Sequence, residues 1–416
     1  MRVFKFGGAS VKDAEGVINV VKVLTEIGNK DTLIVVSAMG KSTNAFEGVV
    51  DAYFKAPDSC KAALLDLEIF HQDIVKKLFK DAHGPVSKRV KNLCAQCETF
   101  LINNRSPHRA FVYDQVVSFG ELLSTSIICA YLNHVGIAAK WIDARSCIKT
   151  DNFYRSAHLN WEQTQSAIQD QIQGNVLKVT QGFIGSDENN FTTTLGREGS
   201  DYSAAIFAYC MGAIDVTIWK DVDGVLNADP RVFDKTQLLE HMSYQEAIEL
   251  AFYGASVIHP KTLQPLQKKE IPLYVKSFLN PKQNGTKVGK GVRMQPEVPC
   301  YIVKRSLSLL RLSTRDFSFV VEDNISDIFK LLHEHKMSVD VIQNSAISFS
   351  VCVQDKYNNM DALLLSLRSR FDVKHTPDVS LYTIRHFEEN SAASLLKSKK
   401  PILEQRTATT LQLVLK

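Results

Sequence analysis

The sequence predicts an α/β protein, with a mainly parallel sheet sandwiched by helices and a ferredoxin-like unit after it. The chain opens with a strand, a glycine turn, a helix and a buried strand, which is the order of a βαβ unit. A polar stretch rich in glycine, lysine and proline, Gln283–Pro299, indicates a linker. After it, strand and helix patterns follow in the order β-α-β-β-α-β. A length of 416 residues also favours two or three domains.

Residues 1–295 are predicted to form one α/β domain. Apolar runs and helical spacing predict its first elements: a strand at Val3–Phe6, a helix from Lys12 to about Ile27, and a buried strand at Thr32–Ser37. The later patterns predict helices at Cys60–Phe79, Val86–Ile102, Ser200–Met211, Tyr244–Tyr253 and Pro260–Lys269, and strands at Ala138–Ile142, Leu177–Ile184, Val216–Trp219 and Pro272–Ser277.

Residues 300–416 are predicted to form a second region, with one full unit at about 305–378 and a shortened second half at about 379–416. The patterns predict a strand at Leu307–Ser313, a helix at Ile325–His335, strands at Val339–Ile342 and Ile347–Val353, a helix at Met360–Phe371 and a strand at Val379–Arg385. The tail adds a short helix at Ala392–Lys397 and a strand at Thr410–Leu415.

Composition excludes several classes of protein. A net charge of +4 with scattered Lys and Arg residues gives no reason to expect nucleic acid as a partner. The N-terminus lacks the apolar stretch of a signal peptide, and no run approaches the roughly 18 apolar residues of a membrane span. We therefore expect a cytoplasmic protein without membrane contact. Cys94 and Cys97 form a C-x-x-C pair, but one pair is weak support for zinc, and reduced cysteines are the favoured interpretation.

The first candidate motif, Lys5-Phe6-Gly7-Gly8-Ala9-Ser10, lies between the first strand and the first helix. Two glycines there let backbone N–H groups approach a phosphate, and a helix N-terminus favours an anion. The ammonium of Lys5 could reach the β- and γ-phosphates of a nucleotide. A plain glycine turn with an exposed lysine explains this segment equally well. The nearby Gly40-Lys41-Ser42 is not a Walker A loop, because Val35 stands where that motif needs glycine.

Two further segments join glycine turns to helices. In Ser118-Phe119-Gly120-Glu121, the carboxylate of Glu121 could hold a substrate ammonium or simply favour the helix dipole. In the segment 194–201, two glycines bracket Arg197, and Ser200-Asp201 opens an alanine-rich helix. An arginine beside a helix N-terminus can bind a carboxylate through two hydrogen bonds, so this segment favours a binding site over a capped helix with a surface arginine.

Two later loops are candidates for nucleotide contacts or for purely structural roles. Residues 219–231 follow a buried strand, and the aspartates there are either turn formers or groups beside an adenosine. In the segment 253–262, His259 is more simply a structural residue than a catalytic base.

Taken together, these segments resemble the aspartate kinases, the aspartokinases of the amino-acid-kinase family. Lys-Phe-Gly-Gly-x-Ser, Ser-Phe-Gly-Glu-Leu-Leu-Ser, Gly-Arg-x-Gly-Ser-Asp, Asp-Val-Asp-Gly-Val with Asp-Pro-Arg, and Tyr-Gly-Ala with His-Pro occur in the order and approximate spacing of that family. The match covers residues 1 to about 295, and an ACT-like region follows. The resemblance implies an amino-acid-kinase fold and transfer of the γ-phosphoryl group of ATP, with Mg²⁺, to the β-carboxylate of L-aspartate.

The resemblance also implies roles for individual residues. Lys5 would stabilise the transferring phosphoryl group, and Asp201 would orient Lys5. Glu121 would take the amino group of aspartate and Arg197 its α-carboxylate. The remaining implied contacts are Ser10, Ser37 and Ser200 for the substrate, and Lys5, Gly7, Gly8, Lys220, Asp221, Arg231 and Lys261 for the nucleotide.

The sequence departs from the family pattern at four positions of these motifs. Ala9 replaces a usual Thr, Glu198 a usual Gly, Lys220 a usual Thr, and Ser256 a common Lys. Glu198 adds a negative charge beside the phosphate site, which is compatible with activity if its side chain points outward. Lys261 is a candidate to compensate for Ser256.

The C-terminal region departs from the family as well, since members usually carry two full ACT units. The segment 339–345 resembles the strand of the first unit that faces an effector, so lysine or threonine is a candidate inhibitor. ACT units commonly pair across a two-fold axis, so we expect a homodimer. Two alternatives stay open: an amino-acid sensor with a weak or inactive kinase domain, and a kinase for another amino acid such as glutamate.

Overall fold

The computed structural model describes residues 1–81, 83–255, 258–316, 318–391, 393–396 and 400–416. Contacts between Cα atoms divide the chain into two compact units. The first contains Met1–Val225, Leu238–Ile248 and Val257–Pro296, and the second contains Leu226–Gln237, Glu249–Ser256 and Glu297–Lys416. That the first of the predicted regions is catalytic and the second regulatory remains a prediction.

An eight-stranded sheet forms the centre of the first unit, in the order β10-β12-β11-β7-β1-β2-β4-β3. The strands from β11 to β3 in that order run parallel, and β12 is antiparallel to β11. The strands up to residue 296 are β1 Arg2–Phe6, β2 Thr32–Val36, β3 Ala139–Ile142, β4 Leu177–Gln181, β5 Ile184–Ser186, β6 Thr192–Thr194, β7 Val216–Lys220, β8 Val225–Leu226, β9 Leu238–Leu239, β10 His241–Ser243, β11 Leu273–Ser277 and β12 Thr286–Gly289.

Helices flank this sheet, which confirms the predicted fold class. They are α1 Ala14–Ile27, α2 Ser42–Lys55, α3 Pro57–Phe79, α4 Pro85–Asn103, α5 Arg109–Val117, α6 Phe119–His134, α7 Ala144–Cys147, α8 Trp161–Gln171, α9 Gly199–Met211, α10 Tyr244–Tyr253 and α11 Pro260–Lys268. A short 3₁₀ turn at Gly8–Val11 precedes α1.

The main hydrophobic core lies between the sheet and helices α1 to α6. The stretch Arg109–His134 is long and apolar enough to cross a membrane by length and composition, but 72% of its most apolar window is buried inside the protein. A helix buried in the core of a soluble protein meets the same criteria of length and composition. Cys94 and Cys97 also lie in this core, and burial raises the pKa of the Cys94 thiol to about 12.

The second unit contains the predicted β-α-β-β-α-β order. Its elements are β13 Cys300–Ser313, α12 Glu322–Glu334, β14 Ser338–Asn344, β15 Ser348–Gln354, α13 Met360–Arg368, β16 Asp372–Arg385, α14 Ala393–Leu396, β17 Leu403–Arg406 and β18 Thr410–Leu415. The strands form one sheet in the order β14-β15-β13-β16-β18-β17, so the shortened second half extends the ferredoxin-like sheet with a hairpin.

Four predictions of local structure were wrong. The strand predicted at Val379–Arg385 begins at Asp372, as β16. The predicted linker contains β12, whose backbone pairs with β10 and β11 in the main sheet. Its Gly-Thr-Lys-Val-Gly sequence has a polar composition because only alternate side chains face the core. The strand β13 begins at Cys300 instead of Leu307, because a β-bulge between Lys304 and Leu307 interrupts its alternation.

The fourth error concerns Leu177–Ile184, which was predicted as one strand. The structure ends β4 at Gln181 and places Ile184 in a separate ribbon of β5 and β6. Gly182 lies so close to Ser200 that a Cβ atom on it would come within 2.5 Å of the Ser200 Cβ. A long-range contact therefore determines this break, and it lies beside the candidate site.

Candidate active site

A cavity with a volume of about 470 Å³ lies in the first unit, next to the ends of β1, β2 and β7. Parallel α/β sheets commonly bind ligands at the carboxyl ends of their strands. The cavity brings together seven residues that were predicted to contact a ligand or to act in the reaction: Lys5, Ser37, Glu121, Arg197, Ser200, Asp201 and Lys220. Four lining residues had no role in the sequence interpretation: Thr43, Tyr113, Arg155 and Phe183.

Lys5 and Asp201 form an ion pair inside this cavity. The Lys5 Nζ atom lies 2.5 Å from an Asp201 carboxylate oxygen, and both side chains are about nine-tenths buried. Lys5 is at the end of β1, and Asp201 is in the first turn of α9. The pair therefore holds an ammonium group beside a helix N-terminus, where two features that favour an anion coincide.

The glycine turn after β1 packs closely against the turn after β2. Gly8 accepts a backbone hydrogen bond from Gly40 at 3.0 Å, and a Cβ atom on Gly8 would lie 2.9 Å from the carbonyl oxygens of Ala38 and Gly40. A Cβ atom on Gly7 would lie 3.3 Å from the Lys5 Nζ atom. The absence of a side chain at Gly8 therefore lets its backbone lie close to the turn after β2. At Gly7 it leaves room for the Lys5 ammonium group.

Glu121 lies in the first turn of α6 with only 2% of its surface exposed. One carboxylate oxygen accepts the N–H of Ala38 at 3.3 Å, and the other has no hydrogen-bond partner among the described residues. Burial raises the pKa of Glu121 to about 8. A buried carboxyl with an unpartnered oxygen in a cavity is suited to bind a cationic group, which would favour its ionised form.

The loop before α9 carries the residues of the third motif. Glu198 has a φ of +54°, and the helix begins at the next residue, Gly199. A Cβ atom on Gly199 would come within 2.7 Å of the Phe183 ring, so only glycine fits there. Arg197 is exposed at the cavity wall.

The Glu198 side chain lines the cavity, and one of its carboxylate oxygens is buried without a hydrogen-bond partner in the described structure. The condition set for full activity, a Glu198 side chain that points outward, is therefore not met. A negative charge thus lies in the same cavity as Lys5 and Lys220.

Several predicted contacts lie elsewhere. Ser10 is buried and donates its hydroxyl to the Trp219 carbonyl at 3.2 Å, so it joins the glycine turn to β7. Asp221 and Lys261 are exposed, and Arg231 forms an ion pair with Asp229. These three residues do not line the described cavity, and their contacts with a nucleotide stay predictions.

Other sequence interpretations gain a structural account. The ring Nδ1 of His259 accepts the N–H of Lys261 at 3.2 Å and caps α11, as expected of a structural residue. Lys41 is exposed, in agreement with its exclusion from a phosphate loop, and Ala9 is exposed as well. Ser256 lies outside the described residues.

The first unit matches a known sequence family. The model of the "Amino acid kinase family" matches residues 1–277, which is more than half of the chain. The chain belongs to the amino acid kinase family.

Within this family, the chain is similar to aspartokinases. It is 33% identical to Aspartokinase 1, chloroplastic, of Arabidopsis thaliana over 84% of this chain and 62% of that protein. It is 29% identical to Lysine-sensitive aspartokinase 3 of Escherichia coli (strain K12), over 84% of this chain and 77% of that protein. The match spans slightly less than two thirds of the length of three Arabidopsis aspartokinases.

Solved structures of family members support the same likeness. Escherichia coli aspartokinase III in complex with aspartate and ADP matches with a TM-score of 0.82 and 25% identity, over 100% of this chain and 96% of that one. The same enzyme in complex with lysine and aspartate also matches with a TM-score of 0.82. The aspartate kinase of Clostridium acetobutylicum, with a TM-score of 0.80 and 19% identity, shows the shared fold.

Proposed function

We propose that this protein is an aspartate kinase, which transfers the γ-phosphoryl group of ATP to the β-carboxylate of L-aspartate and forms 4-phospho-L-aspartate. This reaction would be the first step toward lysine, threonine and methionine. The observation that carries the proposal is the convergence of Lys5, Glu121, Arg197 and Asp201 from three separate segments on one cavity. The likeness to aspartokinases along most of the chain supports the same reaction.

Aspartate carries two carboxylates and one ammonium group at neutral pH, and the cavity offers groups of the opposite charge. The unpartnered oxygen of Glu121 is suited to the substrate ammonium. Arg197 can bind the α-carboxylate through two parallel hydrogen bonds. Ser37 and Ser200 line the same cavity and can donate hydroxyl hydrogen bonds.

Phosphoryl transfer to a carboxylate needs positioning and positive charge more than acid–base chemistry. The β-carboxylate is already ionised at neutral pH, so it needs no general base. Lys5, oriented by Asp201, would stabilise the negative charge of the transferring phosphoryl group, together with the backbone N–H groups at the start of α9.

We propose ATP with Mg²⁺ as the phosphoryl donor. The described residues contain no cluster of three or more His, Cys, Asp or Glu side chains that could hold a metal ion. In nucleotide-dependent enzymes Mg²⁺ is commonly held by phosphate oxygens, water and one or two carboxylates, and here it would neutralise phosphate charge. Asp201 is a carboxylate of the cavity that could contribute a ligand. Lys220, Asp221, Arg231 and Lys261 are proposed for the adenosine half of the nucleotide.

An assay that traps acyl phosphate as hydroxamate tests the reaction directly. The protein, ATP and Mg²⁺ are incubated with L-aspartate, L-glutamate or N-acetyl-L-glutamate, each with and without lysine or threonine. We expect hydroxamate with L-aspartate alone, and inhibition by either amino acid would identify an effector. Product from L-glutamate instead would assign a different substrate.

The substitution Lys5→Ala tests the role of the buried lysine. Because Lys5 should act mainly in the transition state, we expect kcat to fall by about 100-fold or more, with a modest change in KM. Lys41→Ala is a matched control, since Lys41 is an exposed lysine that follows the neighbouring strand β2. An unchanged kcat in Lys5→Ala would remove Lys5 from the mechanism.

A second candidate function, an amino-acid sensor with little turnover, is favoured by the carboxylate of Glu198 in the cavity. A negative charge there would oppose the binding of nucleotide phosphates. Folded protein that binds ATP but yields no hydroxamate with any of the three substrates would support this second function.

A further inference from the structure

Arg155 lines the candidate active site, although no motif contains it. It lies after α7 with a φ of +70°, a left-handed conformation that costs free energy for a residue with a side chain. Such strain persists only where the surrounding structure holds the backbone, and it is concentrated at ligand sites. Arg155 is therefore a candidate for direct contact with a ligand.

A buried carboxylate, that of Asp114, holds the backbone of Arg155. Its two oxygens accept the Arg155 N–H at 3.0 Å, and they also accept the N–H and the hydroxyl of Thr194, each at 2.8 Å. Thr194 ends β6, the strand that leads into Gly196 and Arg197. One carboxylate thus joins the segments that carry Arg155 and Arg197.

These two segments also touch directly. A Cβ atom on Gly196 would lie 3.3 Å from the Arg155 carbonyl oxygen and 3.2 Å from the Ser156 hydroxyl. Gly196 is the immediate neighbour of Arg197 in the sequence. The backbone of Arg155 therefore lies beside that of Gly196, and both Arg155 and Arg197 line the same cavity.

The Arg155 guanidinium group is positioned by its neighbours but remains accessible. It lies 4.2 Å from the centre of the Tyr113 ring, and its Nη2 atom donates to Glu47 at 3.3 Å. Its side chain is 47% exposed. A guanidinium group has five N–H donors in a planar fork, so one bond to Glu47 leaves capacity for a ligand carboxylate.

Building on the proposed aspartate kinase function, we propose that Arg155 is a second cationic contact for the α-carboxylate of aspartate, acting beside Arg197. The β-carboxylate is the less suitable partner because it must approach the phosphoryl group near Lys5 and keep a lone pair for the attack. The α-carboxylate has two oxygens and no part in bond formation, so two arginines can bind it without cost to the reaction. Arg155 would thereby help the site to select a substrate with a carboxylate at that position.

Calorimetric titration in the presence of ADP and Mg²⁺ tests this assignment with two ligands. L-aspartate has the α-carboxylate, whereas the α-amide of L-aspartate keeps the ammonium and the β-carboxylate but lacks the α charge. In Arg155→Gln we expect the Kd for L-aspartate to rise by about tenfold, while the Kd for the α-amide changes by less than about twofold. Arg155→Lys should recover part of the loss because it keeps the charge.

A substitution of Glu47, whose carboxylate competes with the substrate for Arg155, should change the Kd for L-aspartate in the opposite direction. Glu47→Gln removes the ion pair that engages Arg155, so we expect the Kd for L-aspartate to fall by about twofold. The unfolding temperature of each variant shows whether the fold is intact. Equal weakening of both ligands in Arg155→Gln, or an unchanged Kd for L-aspartate, would overturn the assignment.

Failure of the proposed function gives a different result. If the unmodified protein forms hydroxamate from L-aspartate but Arg155→Gln binds it normally, the assignment of Arg155 alone is wrong. If the unmodified protein neither binds nor phosphorylates L-aspartate, the proposed function is wrong, and the assignment of Arg155 is overturned with it.

Discussion

Besides Asp201, whose buried oxygen forms the ion pair with Lys5, two acidic side chains in the cavity, Glu121 and Glu198, each have a buried oxygen without a hydrogen-bond partner in the described structure. Buried polar groups usually find partners, so each of these oxygens needs an explanation, and a ligand bound in the cavity would supply one. The two differ in position, because Glu121 lies in the first turn of α6 whereas Glu198 lies in the loop that enters α9. A substrate ammonium would suit Glu121, but nucleotide phosphates would be repelled by Glu198.

The repulsion predicts a gain of affinity when Glu198 is replaced. In Glu198→Gly we expect the KM for ATP to fall by about three- to tenfold, because a negative charge beside the phosphate site is removed. Glu198→Gln is the matched variant, since it removes the charge but keeps the side chain and its left-handed backbone. Steady-state kinetics should show the same gain in both; a gain in the glycine variant alone would assign the effect to the backbone.

The raised pKa of Glu121 predicts a dependence of stability on pH. In the unfolded chain the carboxyl ionises near 4.5, whereas in the folded protein it stays protonated until about pH 8. The unfolded state therefore binds fewer protons between these values, and this group lowers the stability as the pH rises through them. Relative to the unmodified protein, Glu121→Gln should gain in unfolding temperature from about pH 4.5 to about pH 8, as thermal unfolding across that range can show. A constant difference would contradict the raised pKa.

At the scale of elements, the site depends on how closely consecutive turns approach one another. The turn after β1 meets the turn after β2 through the hydrogen bond from Gly40 to Gly8. Sequence reasoning predicted both strands and the glycine turn, and it left phosphate contact and a plain turn as equal explanations of the glycines. The structure adds a packing reason for Gly8, because two carbonyl oxygens occupy the space a side chain would need.

This contact predicts opposite effects of two glycine substitutions. Gly8→Ala should lower the free energy of unfolding by about 1–3 kcal/mol, since its methyl group would force the two turns apart. Gly48→Ala is the control, because Gly48 lies within α2 with no neighbouring atom inside 4 Å of the added Cβ. There we expect a gain of about 0.5–1 kcal/mol from helix propensity. Denaturant titration measures both, and equal effects would contradict the packing argument.

At the scale of the whole molecule, the second unit contains a single antiparallel sheet of six strands with β14 and β17 at its edges. Exposed edge strands offer unpaired backbone groups to another chain. Together with the likeness to the ACT region, this feature supports the expected homodimer. Lysine or threonine as an effector of this region remains a prediction, for which the hydroxamate assay is the test.

If the protein is a homodimer, its mass in solution is twice the 46.6 kDa of one chain. Sedimentation equilibrium over a range of concentrations measures this mass. We expect a two-fold symmetric dimer, because a closed two-fold arrangement is the commonest for identical subunits. A mass of one chain at micromolar concentration would exclude a stable dimer.

The sequence by itself determined the βαβ start, the order of the ferredoxin-like unit and seven of the residues around the cavity. These features are local, since strand and helix periodicity and glycine-flanked polar segments are visible within short windows. The tertiary structure alone decided the break at Gly182, the inward side chain of Glu198 and the place of Arg155. Each depends on segments far apart in the chain: Asp114 holds Arg155 across 41 residues and Thr194 across 80. Such contacts form only when the sheet brings their segments together, and no local pattern encodes them.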